Sequence, residues 1–174
     1  MWLIQAIILV VLLLIFVQDM QKRSVYWWFF PVLLVSFFAW GLFHHQSIAE
    51  LCLVALINIC FLTLQFLLTS LYFSIKYKRV TNLVNGFIGW GDILFLVCIS
   101  FYLSVLNLVL FYIISLLAIV AFQLLLLTMQ VKKDKRVPLA GLQAFLLACF
   151  LVMDWWFVPL NLTNDNWLLS LLNK

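Results

Sequence analysis

The sequence predicts an all-α, polytopic membrane protein, a bundle of six transmembrane helices. Two observations support this fold class: 68% of the 174 residues are hydrophobic and only 9% are charged, and the mean hydropathy is +1.22. A soluble domain of this size has no way to cover so much apolar side chain, so lipid must be its main solvent. The apolar runs are continuous and far exceed the ~10 residues of a barrel strand, which favours helices.

Six apolar blocks come close to the roughly 20 residues that a spanning helix needs. They cover residues 2–18, 26–43, 48–75, 86–106, 108–130 and 137–159, so that residues 1–174 form a single membrane domain. The first block has neither a basic leader nor an A-x-A-like cleavage site, and we therefore interpret it as a spanning helix rather than a signal peptide.

Basic residues cluster in alternate loops, which predicts the orientation of the chain. They follow the first, third and fifth blocks: Lys22 and Arg23; Lys76, Lys78 and Arg79; Lys132, Lys133, Lys135 and Arg136. The positive-inside rule makes these loops cytoplasmic and puts both termini outside. We therefore expect a multi-pass protein of the cytoplasmic (inner) membrane, with basic loops that hold anionic lipid head groups.

Two of the six acidic residues are candidates for a functional role. Asp19 ends the first block and Asp92 begins the fourth, so both are expected at the cytoplasmic face, although capping or pairing with Lys22 or Arg79 would also explain either one. The other acids are expected in solvated segments, in the basic run KKDKR or near the outer interface; they are Glu50, Asp134, Asp154 and Asp165.

A pair of carboxylates at one depth has a chemical use. Close together in a low-dielectric setting, two such groups cannot both ionise cheaply, so they share a proton. One can then activate water as a base while the other protonates the peptide carbonyl or the leaving amine, with no metal or cofactor. The sequence leaves open which of the two is the base, since the pair titrates as a unit.

Three glycines precede or accompany the second acid. Gly86, Gly89 and Gly91 permit a close approach of backbones or a backbone conformation that other residues avoid. Taken alone, the three glycines are better explained by tight helix packing or a bent helix entry, without any catalytic purpose.

These motifs resemble those of the type IV prepilin peptidase family, which includes preflagellin peptidases and belongs to the GxGD-type membrane aspartyl proteases. The family's first motif, D-x-x-x-R-x-[IV], is matched by DMQKRSV through Asp19, Arg23 and Val25, and its second, G-x-G-D-[VI], by GWGDI through Gly89, Gly91 and Asp92. The segment RVPLAG, which contains Pro138, is similar to the opening of the family's last core helix.

The resemblance implies an aspartic endopeptidase with Asp19 and Asp92 as its catalytic residues and Gly89, Gly91, Arg23 and Pro138 in support. It implies a prepilin-like substrate, a basic leader followed by an apolar helix, cut near the cytoplasmic face during type IV pilus assembly or secretion. No nucleic-acid partner is implied. Many members have Lys where this chain has Leu94. The larger members also carry a segment with C-x-x-C pairs, which is absent here, so neither zinc nor methyl transfer is expected.

Two other function classes remain open at this point. A small transporter or channel subunit would use Asp19 and Asp92 as a proton or cation site, because intramembrane acids also mark ion pathways. A non-catalytic subunit of a pilus or secretion machine would keep the motif without the reaction. Against a transporter, the sequence has no inverted repeat and the two acids are expected at one face rather than at the midplane.

Overall fold

The computed structural model describes residues 2–44, 46–77, 89–128, 139–158, 161–165 and 167–169. Within these ranges the chain forms six α-helices and no strand. The helices are α1 (Trp2–Lys22), α2 (Phe29–Phe43), α3 (Ile48–Tyr77), α4 (Trp90–Ile99), α5 (Val105–Thr128) and α6 (Leu139–Val152), and a π-helical turn, Met153–Phe157, continues α6.

The structure is that of a helical membrane protein, as the composition predicts. In the part of the chain that the structure describes, four helices are long and apolar enough to cross a bilayer: α1, α3, α5, and α6 together with its π-helical turn. The two others, α2 with 15 residues and α4 with 10, are apolar but shorter than a standard span.

The closest helix pair consists of α1 and α6, the first and last helices of the bundle. Ala140, Ala144 and Ala148 recur at every fourth position of α6 and are buried, as is the neighbouring Gly141. Small residues with this spacing let two membrane helices approach closely. Buried Ile8, Leu12 and Ile15 of α1 belong to the same core as Ala144 and Ala148, so the two helices share one apolar interface.

The fourth helix differs from the predicted block 86–106. Residues 86–88 lie outside the described ranges; the helix begins at Trp90 and ends at Ile99, and turns follow before α5 starts at Val105 rather than at residue 108. The reason is a side chain of α3: buried Asn58 donates hydrogen bonds from its amide nitrogen to the carbonyl oxygens of Ser100 (3.0 Å) and Leu103 (2.8 Å). Hydropathy alone does not register this break, because the turn residues are themselves largely apolar.

The first helix also differs from its predicted end at residue 18. It continues to Lys22, so Asp19 lies within the last turn of α1 and not beyond it. Arg23 follows with a left-handed backbone (φ 52°), and its N–H donates to the carbonyl oxygen of Asp19 at 2.9 Å. A left-handed residue is a common way to end a helix, although Gly or Asn usually fills that position.

The segment after α6 is docked on the bundle rather than solvated as expected for Asp165. The carboxylate of Asp165 accepts hydrogen bonds from the hydroxyl of Ser104 (2.5 Å) and the backbone N–H of Leu106 (3.2 Å), at the N-terminus of α5. Asn107 donates to the carbonyl oxygens of Leu162 and Asn164, both at 3.1 Å. Acidic groups stabilise helix N-termini, where the first N–H groups have no intrahelical acceptor.

Candidate active site

Asp19 is buried where α1 meets the beginning of α6. Only 6% of its surface is exposed, and its carboxylate accepts a hydrogen bond of 2.7 Å from the backbone N–H of Gly141. A carboxylate in such a place costs several kcal/mol unless it is paired or hydrogen-bonded. The Gly141 N–H is one of the four at the start of α6 that have no acceptor within the helix. The hydrogen bond therefore gives this N–H an acceptor and gives the buried carboxylate a donor.

Asp92 lies in the first turn of α4 and is partly buried. Its carboxylate accepts a hydrogen bond of 3.0 Å from the backbone N–H of Gly89, the residue that precedes the helix. This is the reach-back half of a capping box, so Asp92 does have the capping role that the sequence left open. The backbone N–H of Ala140 in α6 also lies close enough to interact favourably with the same carboxylate, and capping of α4 does not account for that proximity.

The two carboxylates therefore lie near each other at the N-terminus of α6. Asp19 accepts a hydrogen bond from the N–H of Gly141, whereas Asp92 lies close to the N–H of the preceding residue, Ala140, and to Asp19 itself. The two acids are 73 positions apart in the chain. The positive end of the α6 dipole faces both, which lets two acidic groups share a confined space.

The glycines of the second motif have different surroundings. A Cβ atom on Gly89 would lie 3.2 Å from the Oδ2 atom of Asp92, whereas one on Gly91 would lie 3.7 Å from the Phe30 ring, an ordinary contact. Neither glycine has a positive φ, so the left-handed conformations that favour glycine are not used here. Gly89 is thus tightly placed against the acid, and Gly91 is not.

Arg23 lies next to the site, and Pro138 lies outside the described residues. The guanidinium of Arg23 attracts the carboxylate of Asp19, while the side chain itself is exposed. The other predicted positions that fall outside the described ranges are Gly86, Lys78, Arg79, Lys132, Lys133, Asp134, Lys135 and Arg136.

The remaining described acids have structural contacts away from this place. Glu50 forms a capping box with Ser47 at the start of α3: its carboxylate accepts from the Ser47 N–H at 3.1 Å, and its own N–H donates to the Ser47 hydroxyl at 3.2 Å. Asp154, in the π-helical turn, accepts a hydrogen bond of 2.7 Å from the N–H of Asn161. These contacts agree with the structural interpretation given to both acids from the sequence.

The residues that sequence reasoning missed are Ala140 and Gly141. A Cβ atom on Gly141 would lie 2.9 Å from the Cβ of Asp19 and 3.3 Å from the carbonyl oxygen of Phe16, so any side chain there would force α1 and α6 apart. The signal was present as the recurrence of small residues every fourth position in LAGLQAFLLACF. It is typical of packed membrane helices, but it does not say which helix is the partner.

The arrangement suits acid–base chemistry. One carboxylate in its ionised form can take a proton from a water molecule while its protonated neighbour donates one, provided that both reach the same reacting group. The backbone N–H groups of Gly141 and Gly89 position the two carboxylates through hydrogen bonds, and the charge of Arg23 acts on Asp19 from outside.

Comparison with known proteins gives no relative for this chain. No family model, no curated protein and no solved structure matches it.

Proposed function

We propose that the protein is a membrane aspartyl endopeptidase that cleaves the leader of prepilin-like substrates. The observation that carries the proposal is the meeting of Asp19 and Asp92 beside the N–H groups of Ala140 and Gly141. Acids with purely structural roles are satisfied one by one, as Glu50 is by its own helix. A shared location for acids from two helices is what a proton-sharing pair requires.

In the proposed reaction, the ionised carboxylate removes a proton from water as its oxygen attacks the scissile carbonyl carbon. The protonated carboxyl group donates its proton to the carbonyl oxygen, which gives a tetrahedral gem-diol intermediate. The carboxyl group that received the water proton then donates it to the leaving amine as the C–N bond breaks, while the other carboxylate takes a proton from a gem-diol hydroxyl group. Both acids thereby return to their starting protonation states. Arg23 helps to position Asp19 through its charge, since the two attract each other.

The proposal includes six membrane crossings, with both termini outside and the two acids near the cytoplasmic face. Support comes from the location of Lys22 and Arg23 directly after Asp19 and of Lys76 in the last turn of α3, because basic residues are retained on the cytoplasmic side. A substrate with a basic leader and an apolar helix would then present its junction at the depth of the carboxylates.

The test is cleavage of a prepilin-like substrate co-expressed with the protein in a host that lacks such a peptidase. We expect cleavage by the wild type and a loss of at least about 10²-fold in both Asp19→Asn and Asp92→Asn, because each variant removes one partner of the acid–base pair. Glu50→Gln is the matched control: it also neutralises one acid, and because Gln serves in a capping box it should preserve folding and cleavage.

Other outcomes separate the alternatives. No cleavage by the wild type, together with an ion flux that both Asp→Asn variants alter, would replace the protease with a transporter or channel subunit. No cleavage and no flux, with pilus or secretion assembly still dependent on the protein, would assign it to a non-catalytic subunit. Full cleavage by either Asp→Asn variant would rule out the proposed pair.

A further inference from the structure

The helices end at two different levels on the side of the bundle where Asp19 and Asp92 lie, which we call the carboxylate end. Three interhelical contacts establish the levels. Phe61 of α3 packs edge-on against Tyr112 of α5, with ring centroids 6.4 Å apart, and Gln143 of α6 donates to the hydroxyl of Ser115 in α5 at 3.3 Å. The third contact joins Asn58 of α3 to the end of α4.

Counting along the helices from these contacts gives one consistent level for the acids. The α5–α6 contact sets Gly141, two positions before Gln143, level with about Leu117 of α5, and the α3–α5 contact sets Leu117 level with about Phe66 of α3. The contact between Asn58 and Ser100 independently sets Asp92 level with that same residue, Phe66. Two separate routes through the bundle therefore agree.

Among the described residues, only α3 and α5 continue well beyond this level. They are described as far as Tyr77 and Thr128, about eleven residues or roughly 16 Å further at 1.5 Å per residue. In contrast, α1 ends at Lys22, three positions after Asp19, and α4 and α6 begin at or next to the acids. The carboxylate end is thus stepped, with a low part formed by α1, α2, α4 and α6 and a high part formed by α3 and α5.

The two parts also differ in the side chains that they expose. The extension of α5 reads VAFQLLLLT over residues 120–128, and the side chains of Val120, Leu124 and Leu125 are more than half exposed. The extension of α3 exposes Leu71, Tyr72 and Ile75 and ends with the exposed Lys76, whose Nζ atom lies 5.7 Å from the centre of the Tyr72 ring. In a membrane protein, apolar surface of this kind faces hydrocarbon, so the lipid chains reach beyond the level of the acids along α5 and, along α3, as far as the first turns of its extension.

The low part carries residues that belong at the membrane interface. Trp27 and Trp28 in the α1–α2 connection and Trp90 at the start of α4 are 57%, 64% and 68% exposed, and Lys22 and Arg23 are exposed beside them. Exposed Trp with nearby Lys and Arg is typical of the head-group region. On this side of the bundle the hydrocarbon must therefore end at about the level of Asp19 and Asp92.

We propose that the protein thins the lipid leaflet locally at its carboxylate end, along α2 and α4. A lipid bilayer adapts to a short hydrophobic span by thinning around it. With α2 and α4 at 15 and 10 residues, the adapted region brings head groups and water down to the two acids. The lipid around α3 and α5 keeps its ordinary thickness. This inference concerns the lipid surface and holds whether or not the acids cleave a peptide.

The test measures the depth of spin labels on the reconstituted full chain in phosphatidylcholine vesicles. The native cysteines, Cys52, Cys60, Cys98 and Cys149, are first replaced by alanine, and single labels are attached at Trp90→Cys or Leu68→Cys. These positions are level in the bundle, both are exposed, and one lies on each part of the step. Depth is read from the ratio of relaxation by oxygen to relaxation by a water-soluble nickel chelate.

We expect the Trp90 label at head-group depth and the Leu68 label deeper in hydrocarbon by on the order of 10 Å, since the step is roughly 16 Å high. Labels at Phe43 and Ile48 serve as the control pair. They lie at the opposite end of the bundle, near the contact between Gly41 and Leu51, and should report equal depths. If the Trp90 variant fails to fold, as judged by circular dichroism, Trp27→Cys replaces it.

Equal depths for the labels on the two parts would overturn the inference, because they would mean a flat lipid boundary. The measurement uses neither substrate nor cleavage, so its failure is independent of a failure of the proposed protease function.

Discussion

At the scale of single residues, the site depends on backbone donors as much as on the two acids. The N–H of Gly141 reaches Asp19 at 2.7 Å because no side chain separates α6 from α1 at that point. The hydrogen bond from this donor offsets the free-energy cost of burying the Asp19 carboxylate, since an unpaired charge at this depth would be strongly unfavourable. Gly141 therefore links the packing of two helices to the position of an acid.

Substitution of Gly141 should be far more harmful than substitution of Gly91. The Cβ of Gly141→Ala would lie 2.9 Å from the Cβ of Asp19, and overpacking of this kind costs about 1–3 kcal/mol. In Gly91→Ala the new Cβ meets the Phe30 ring at an ordinary 3.7 Å, so a change within about 0.5 kcal/mol is expected.

The measurement for this pair is the free energy of unfolding by SDS in mixed micelles, followed by circular dichroism. Equal losses for the two variants would show that the close approach of α1 and α6 at Gly141 is not maintained in solution.

At the scale of elements, polar side chains from other parts of the chain complete the ends of helices. Asn58 of α3 binds the carbonyl groups that follow α4, and Asp165 binds donors at the start of α5. Both ends lie on the side of the bundle opposite the acids. In an apolar bundle each unmatched backbone group is costly, so these contacts determine where α4 stops and α5 begins.

Replacement of Asn58 should loosen the turn between α4 and α5. Asn58→Leu keeps a similar volume but leaves two buried carbonyl groups without their donor, which costs about 1–3 kcal/mol. Hydrogen exchange, read by mass spectrometry, should accelerate in peptides that cover residues 100–106. Thr63→Val is the control, because the exposed Thr63 hydroxyl bonds only within its own helix; an equal acceleration in both variants would contradict the capping role of Asn58.

At the scale of the whole molecule, the short and long helices are arranged so that the acids lie where the lipid boundary is lowest. The high part, formed by α3 and α5, anchors the protein in a bilayer of ordinary thickness. The low part brings the proposed lipid–water boundary to the level of Asp19 and Asp92, and a hydrolytic reaction needs water at that level. The stepped carboxylate end thus connects the fold to the proposed function.

The proposed cleavage should therefore depend on bilayer thickness. Thick membranes oppose local thinning, so cleavage in dierucoyl phosphatidylcholine vesicles should be at least roughly threefold slower than in dimyristoleoyl phosphatidylcholine, because the acids become submerged. The rate is measured with the same reconstituted protein and a substrate added in detergent-free form. A rate that rises with bilayer thickness would contradict the link between thinning and catalysis. As a control, a soluble protease acting on the same substrate reports whether thickness changes access to the substrate itself.

The sequence by itself determined the all-helical membrane class and the approximate position of each helix, since hydropathy depends only on residues that are neighbours in the chain. It also singled out Asp19 and Asp92, because an acidic residue next to a long apolar run can be recognised from the sequence alone. The sequence motif also gave Gly91 a supporting role beside the acids, although a Cβ atom at Gly91 would make only ordinary contacts in the fold.

Only the tertiary structure decided that α6 joins the two acids. The contact between Asp19 and Gly141 spans 122 positions, and such pairings depend on which helices pack together, a property that no local pattern contains. The same holds for the end of α4, which Asn58 sets from another helix. The step at the carboxylate end follows from relative helix levels, which become defined only when the helices are in contact.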